Sequence, residues 1–330
     1  MIVLGIESTC DETAAAVVKN GREVLSHVVA SQTDLHCRLG GVMPELASRQ
    51  HVDIILPIID KALQEANCPI DLIAVASEPG LMGALLIGIN TAKTLSWSLG
   101  IPFVGVNHIE AHLYAAMMET EPTFPAIGVV LSGGHTSILK IRAIGSYELI
   151  SQTVDDAIGE AFDKVARLLG LPYPGGPEVE KLAKLGNPHA YKLTAGQVKK
   201  LPLHFSFSGI KTQVLYQIGN QELSSQQKAD LAASFQHTVF TDVVEKTTKI
   251  AKEHGCEHIF LGGGVTNSEA LRSYFSTSKL KIHFPKREYS LDNGVMIAGL
   301  GYHVFQRKGA DNYDLTASPR SACLFSKETL

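Results

Sequence analysis

MIVLGIESTCDETAAAVV, residues 1–18, has the pattern of a chain that runs out, turns and comes back. Ile2–Glu7 is an apolar strand, Ser8–Thr13 a short turn of hydroxyls and acids, and Ala14–Val18 a returning apolar strand; Arg22–Ser31, with Val24, Val28 and Val29 as apolar positions, supplies a third. The pattern recurs: Phe124–Leu131 is an apolar strand, Ser132-Gly133-Gly134-His135-Thr136 a tight polar turn, Ser137–Arg142 the returning strand and Tyr147–Thr153 a third. Each copy is followed by helical periodicity and further strands, so the chain reads as two related α/β lobes facing each other across a cleft. Hairpins are common, so the repeat alone leaves coincidence open. A turn rich in hydroxyls and acids between buried strands can hold phosphate or metal-bound phosphate through its backbone N–H groups and side chains.

Length and composition agree with two domains: 330 residues, 45% hydrophobic and 19% charged, enough for ample cores. The formal charge of −4 lacks the basic bias of a nucleic-acid-binding protein, so an RNA substrate needs a local basic patch or a partner protein. Lys192, Lys199 and Lys200 form the only local basic cluster in the second half. Cys10, Cys37, Cys68, Cys256 and Cys323 are scattered and odd in number, with no C-x-x-C pair, which points to reduced thiols and a cytosolic setting. The N-terminus enters a strand with no basic leader. The most apolar long segment, Gly80–Val106, is interrupted by Asn90, Lys93 and Pro102 and reads as a buried helix and strand rather than a membrane span.

Between the two copies, Pro44–Asn67 has helical periodicity at Leu46, Val52, Ile55, Ile59 and Leu63, Asp71–Ser77 is a strand, Gly80–Gly83 a glycine turn, Ala84–Leu99 an apolar helix and Ile101–Val106 a strand. After the second copy the sequence predicts a helix over Asp155–Leu169 with an acidic first turn, a turn at Tyr173–Pro177 where Gly175 and Gly176 admit a ligand, a helix over Glu178–Leu185 and a long helix over Ser224–His254 capped at Ser224 or Ser225. His258–Leu261 is a strand running into Gly262-Gly263-Gly264-Val265-Thr266-Asn267 and a helix from about Ser268, an arrangement in which a nucleotide can approach the backbone. Leu291-Asp292-Asn293-Gly294 opens a last helix, Val295–Phe305. No low-complexity linker separates the lobes, so they are expected to interleave, residues 1–110 plus 290–330 forming one and 111–289 the other.

VNHIEAHLYAAMM, Val106–Met118, carries the first chemical signal. Asn107 can cap a helix on which Glu110 is the third residue, and His108 and His112, four apart, project from one face. Two histidines at that spacing make half of a metal site or simply a helix face that carries two histidines. Asp292, at the start of the last helix, is the best third ligand, although an ordinary N-cap is the plainer reading of an aspartate there. A zinc peptidase needs its glutamate directly after the first histidine. Here Glu110 lies two residues on, about 200° around the helix from His108, and cannot reach a metal-bound water.

GIESTCDETAAAVV, GGVMPELASRQHV, NHIEAH, LSGGHTSI, DDAIGEAFDKVARLLGL with YPGGP, FSFSGIKT, GGGVTNSEALR and LDNGVMIAG occur in that order from about Ile2 to Gly301. The set resembles the motifs of the tRNA threonylcarbamoyladenosine synthase family in its bacterial TsaD type. The resemblance implies the two-lobed actin/Hsp70/sugar-kinase (ASKHA) fold with a duplicated βββαβα core. It implies transfer of threonylcarbamoyl from threonylcarbamoyl-AMP to N6 of adenosine 37 in tRNAs reading codons that begin with A. It further implies one divalent metal per subunit, iron ahead of zinc, on His108, His112 and Asp292. The substrate is implied to lie against Val130, Leu131, Ser132, Gly133, Gly134, Asp163, Gly176, Glu180 and Asn267, with Asp11 and Glu12 required for activity. A related two-lobed TsaB-like subunit and a TsaE-like ATPase are the implied partners and the cytoplasm the implied compartment.

Several positions depart from the family pattern. Ser8-Thr9 reverses the usual order, Asn107 stands where many members carry another histidine, Glu78 replaces a small residue before Pro79-Gly80, and the tail SPRSACLF is a loose version of the family ending. Other readings of the residues are a carbamoyltransferase acting on a small molecule, an actin-like ATPase or sugar kinase, and a non-catalytic scaffold. The kinase reading has no use for a paired-histidine metal site, and the scaffold reading has none for Asp11 and Glu12.

Overall fold

The structure, a computed structural model, describes residues 1–219 and 222–320; the part of the SPRSACLF tail after Arg320, with Cys323, lies outside them. In chain order the first half runs β1 (Ile2–Glu7), β2 (Glu12–Lys19), β3 (Glu23–Ser31), α1 (Thr33–Cys37), α2 (Pro44–Ala66), β4 (Leu72–Glu78), α3 (Met82–Leu99), β5 (Phe103–Asn107) and α4 (His108–Met117). It continues with β6 (Ala126–Leu131), β7 (Thr136–Ala143), β8 (Ser146–Gln152), α5 (Ile158–Leu168), α6 (Gly175–Ala183), α7 (Ser208–Ile218) and α8 (Ser225–Glu253). The last elements are β9 (His258–Gly262), α9 (Glu269–Ser276), β10 (Lys281–His283) and α10 (Gly294–Lys308).

The repeat seen in the sequence is a repeat of topology. One five-stranded sheet has the order β3-β2-β1-β4-β5 and the other β8-β7-β6-β9-β10, so the strands correspond one to one. In the first, β1/β2 and β2/β3 are antiparallel while β1/β4 and β4/β5 are parallel; in the second, β6/β7 is antiparallel while β6/β9 and β9/β10 are parallel. Hairpins join the antiparallel strands, and helices make the crossovers that parallel pairing requires. The chain separates into two compact units: Met1–Pro122 with Ala143–Glu148 and the described residues from Pro285 onward, and Thr123–Arg142 with Leu149–Phe284. All of α4 belongs to the first unit.

In the first unit, alternation along β1 sends Leu4 and Ile6 into a core with Ile55 and Ile59 of α2 and Ile89 of α3, while Gly5 faces the opposite side, where α10 lies. There the sheet and helix touch backbone to backbone: a Cβ on Gly5 would come within 2.2 Å of the Gly294 carbonyl, and one on Gly294 within 2.6 Å of the Ala16 nitrogen. This contact fixes the first turn of α10 on β1 and β2. The second unit builds its core from Phe162, Phe205, Phe235, Phe240 and Phe275 with the aliphatic residues of β6 and β9.

Three local expectations change. Glu12, expected in the turn, is the first residue of β2. The helix expected from Asp155 begins at Ile158, because Asp155 accepts from Ser206 Oγ and the N–H groups of Phe207 and Ser208, and Asp156 binds Lys164 and Lys211; both acids hold a loop instead of opening a helix. Tyr173–Pro177 is not a free turn: α6 already starts at Gly175, whose N–H donates to Asp163 Oδ1 at 2.7 Å.

Candidate metal centre

The parallel strands β1, β4 and β5 end side by side at Glu7, Glu78 and Asn107, and ligands of open α/β sheets characteristically bind at that end. No loop separates β5 from α4. Asn107 closes the strand and caps the helix, its Oδ1 accepting from the N–H groups of Ile109 and Glu110 at 2.9 and 3.1 Å. Its Nδ2 donates to Glu78 Oε1 at 3.0 Å, so the two departures from the family pattern are one hydrogen-bonded pair at the foot of α4.

That start places His108 and His112 on one face, ring centroids 4.5 Å apart, with Asp292 opposite. Asp292 Oδ1 lies 3.6 Å from His108 Nε2 and 3.1 Å from His112 Nε2, and one ligand atom from each of the three falls within 4.8 Å of the others. The N-cap alternative for Asp292 does not hold: the capping residue of α10 is Asn293, whose Oδ1 accepts from Met296 N–H at 2.9 Å.

The donor set fits a divalent cation. His112 is 1% exposed, and the polar group facing its Nε2 is the Asp292 carboxylate at 3.1 Å, an arrangement that a cation shared by the two would complete. Ligand atoms about 2.0–2.2 Å from a zinc or iron ion at tetrahedral or octahedral angles stand roughly 3.0–3.5 Å apart, close to the two nitrogen–oxygen separations. Burial alone would depress the His108 pKa, but the carboxylates of Glu7 and Asp292 outweigh it and push it up to about 9. Burial, with His108 beside it, holds His112 below the ordinary value. The neighbouring carboxylates thus favour the charged form of His108, and burial the neutral form of His112.

Around the triad the site is acidic. Burial, then Asp292 and Asp11, push Glu12 up to about 9, which keeps it a neutral acid near pH 7; the same neighbours and burial raise the Cys10 thiol. Ser31 Oγ donates to Glu12 Oε1 at 3.1 Å. Glu110 has other charged neighbours: burial raises it to about 7, with Arg307 opposing and Glu78 adding to the rise.

Two residues of this unit escaped the sequence reading. Glu7 appeared only as the end of an apolar strand; it is completely buried, with Oε2 2.9 Å from His108 Nδ1. A lone acid closing an otherwise apolar strand was the available signal. His51, on α2, is also fully buried and supports the acidic hairpin from behind, with Nδ1 2.7 Å from Thr13 Oγ1 and Nε2 2.9 Å from the Cys10 carbonyl. A neutral ring that accepts from Thr13 and donates to Cys10 satisfies both contacts. Burial lowers its pKa although the Cys10 carbonyl, Glu7 and Asp11 oppose the shift. A histidine harder to protonate in the fold than in the open chain contributes stability that is complete above the open-chain value near 6.5 and is lost as pH falls below it. The midpoint of thermal unfolding is therefore expected to fall more steeply between pH 7 and pH 5 in the wild type than in His51→Gln; equal slopes would refute this role.

The residues singled out in the second unit lie as follows. Val130 and Leu131 are buried in β6, Val130 registering with Ser137 of β7 and Gly262 of β9, so neither offers a side chain to a ligand. Gly133 and Gly134 are exposed at the tip of a turn closed by the Ser132 N–H to the His135 carbonyl at 2.9 Å. Asp163 spends one oxygen on α6, and Glu180 Oε1 accepts from Ala270 N–H at the start of α9 at 2.9 Å. Asn267 closes a 3-10 turn after β9, and its Oδ1 is buried without a partner. Gly263, at φ +94°, brings its backbone against Leu131, whose carbonyl oxygen a Cβ would meet at 2.4 Å.

Solved structures share the architecture over nearly the whole chain. Full-length HypF in its phosphate- and nucleotide-bound form matches with a TM-score of 0.64 at 16% identity, over 94% of this chain and 47% of that one. The ROK hexokinase from Thermus thermophilus matches with 0.51 at 14% identity, over 93% of this chain and 100% of that one. These define the class: an α/β protein of the ASKHA type, here with a possible metal-binding triad of two histidines and an aspartate. The family model described as "TsaD: tRNA N6-adenosine threonylcarbamoyltransferase" matches residues 23–299. The proteins of that name from Protochlamydia amoebophila and Bacillus subtilis are 54% and 45% identical, over 99% and 97% of this chain and 100% and 95% of theirs. The chain belongs to the TsaD family of tRNA N6-adenosine threonylcarbamoyltransferases.

Proposed function

We propose that this chain transfers the threonylcarbamoyl group of threonylcarbamoyl-AMP to N6 of adenosine 37 in tRNAs that read codons beginning with A, releasing AMP. Membership of the family supports the reaction, and the convergence of His108, His112 and Asp292 beside the acidic hairpin is the observation that carries the assignment of its chemistry to this unit. The donor is a mixed anhydride, so its phosphate leaves readily. The difficult partner is N6, whose lone pair is delocalised into the purine. A bond must form from N6 to the carbamoyl carbon as the carbon–oxygen bond to phosphate breaks, and a proton must leave N6.

Asp11 is the residue we assign to that proton, as acceptor or as the group that orients the amine. Glu12, whose pKa burial raises, is assigned the part of a hydrogen-bond donor beside it rather than a second base. A divalent cation on His108, His112 and Asp292, iron ahead of zinc, would supply Lewis acidity toward the carbamoyl oxygen. In the second unit, the Ser132–Gly134 turn is assigned to threonylcarbamoyl or phosphate. Asn267, with its unsatisfied buried oxygen, is the best supported of the nucleoside contacts, whereas Asp163 is held by the backbone of Gly175 and Gly176 and Glu180 by the Ala270 N–H. A kinase or small-molecule carbamoyltransferase would leave the family membership unexplained. Depleting the protein in its host and measuring tRNA nucleosides by mass spectrometry tests the reading; an unchanged level of threonylcarbamoyladenosine would overturn it.

No helix among the described residues is long and apolar enough to cross a membrane, and a tRNA substrate assigns the reaction to the cytoplasm. For the TsaB-like partner, the outer face of α2 and α3 is the surface we assign. Val52 and Leu56, one turn apart on α2, are 61% and 58% exposed, and Met82 and Leu86 on the adjoining α3 are 44% and 41% exposed. Apolar side chains repeated at helical spacing on two packed helices form a patch that a helical partner can cover. The double change Val52→Glu, Leu56→Glu is expected to weaken co-elution with such a subunit at least roughly tenfold; undiminished co-elution would rule this face out. A TsaE-like ATPase is the second proposed partner, tested by its pull-down with the assembled pair.

A further inference from the structure

Glu7 ends β1 with no solvent exposure, and a carboxylate in that position needs partners that compensate its burial. Two donors converge on it. Thr9 N–H reaches Oε1 at 2.6 Å, and His108 Nδ1 lies 2.9 Å from Oε2, with Thr9 Oγ1 3.4 Å from the same nitrogen. An ionised carboxylate only accepts, so the ring nitrogen facing it carries its proton, and the lone pair of a metal-binding ring is then left on Nε2. That is the nitrogen turned toward Asp292. His112 has no counterpart: its Nε2 also faces Asp292, but among the described residues no acceptor stands behind its Nδ1.

From this asymmetry we propose that Glu7 is a positioning residue for the metal, fixing the rotamer and protonated nitrogen of His108 so that its Nε2 is the preorganised ligand onto which His112 and Asp292 close. The proposal rests on the metal reading of the triad and extends it inward by one layer. A carboxylate behind a metal-ligating imidazole aligns the ring and strengthens its donor nitrogen. Glutamine cannot replace it. Its single oxygen can serve Thr9 N–H or His108 Nδ1–H but not both, and an amide NH2 against Nδ1 would favour the opposite tautomer, with the proton on the nitrogen meant for the metal.

The test uses the full chain stripped of metal and titrated with Zn2+ against a chromogenic chelator. Glu7→Gln is expected to bind Zn2+ roughly 10- to 100-fold more weakly than wild type, and undiminished affinity would overturn the proposal. His112→Ala, run beside it, separates the two levels. Wild-type affinity in His112→Ala removes the metal site itself; lost affinity there with full affinity in Glu7→Gln removes only the role of Glu7. Nitrogen-15 NMR of the Zn2+-loaded wild type gives a second readout that needs no variant to fold: His108 is expected to keep a proton on Nδ1 and bind metal through Nε2, and metal on Nδ1 would overturn the proposal.

Discussion

His112→Ala protein is expected to purify with metal at background level and to lose at least about 100-fold in threonylcarbamoyl transfer, since a Lewis acid at a developing charge is worth several kcal/mol. Loss of a buried side chain alone could unfold an enzyme, so the distinguishing measurement is thermal. The His112 ring is buried and its Nε2 faces the Asp292 carboxylate, so a cation between them adds a bond that the buried pair otherwise lacks. Saturating Zn2+ or Fe2+ stabilises a native state by about 4 kcal/mol at a thousand times the dissociation constant, a rise of several degrees in the unfolding midpoint. Wild type should show that rise and His112→Ala should not. Equal metal content in the two proteins by elemental analysis would reject His112 as a ligand.

Asp11→Asn and Asp11→Ala should each lower the rate of transfer by roughly 10²- to 10⁴-fold, about 3–5 kcal/mol, while leaving metal content intact. Asparagine retains the shape and removes the capacity to take a proton from N6. The fold has little reason to object: the hydrogen bond that ties Asp11 to the residue after β3 runs from Gln32 N–H to the Asp11 backbone carbonyl at 2.9 Å, which either substitution preserves. Glu12→Gln provides the contrast. Burial is the largest cause of the raised Glu12 pKa, so an isosteric amide is expected to cost less than Asp11→Asn. Wild-type transfer by Asp11→Ala with its partners, threonylcarbamoyl-AMP and tRNA would remove Asp11 from the chemistry.

How far the sequence could be read followed the range of the interactions involved. The spacing of His108 and His112 is a property of one helix, and Asn107 caps that helix through its nearest N–H groups, so both were legible locally. The duplicated hairpin was legible because strand alternation and turn composition repeat within a few residues. The start of α5 was misread because Asp155 and Asp156 look like an acidic first turn, while, Lys164 apart, their partners at Ser206–Ser208 and Lys211 are some fifty residues away. Asn293, not Asp292, caps α10, and adjacent residues of similar chemistry cannot be told apart without the backbone angles.

The sequence by itself determined the two repeated α/β halves, the histidine pair and, through motifs in order, the family. Periodicity, turn chemistry and motif order are written along the chain. Only the tertiary structure decided that Asp292 joins the pair, because 180 residues separate it from His112 and its place depends on Gly5 and Gly294 letting α10 lie against β1. It also decided that Glu7 stands behind His108, a pairing made between the ends of two strands that lie on either side of β4. A carboxylate at the end of an apolar strand has no visible partner until the sheet forms and brings the other strand's end beside it.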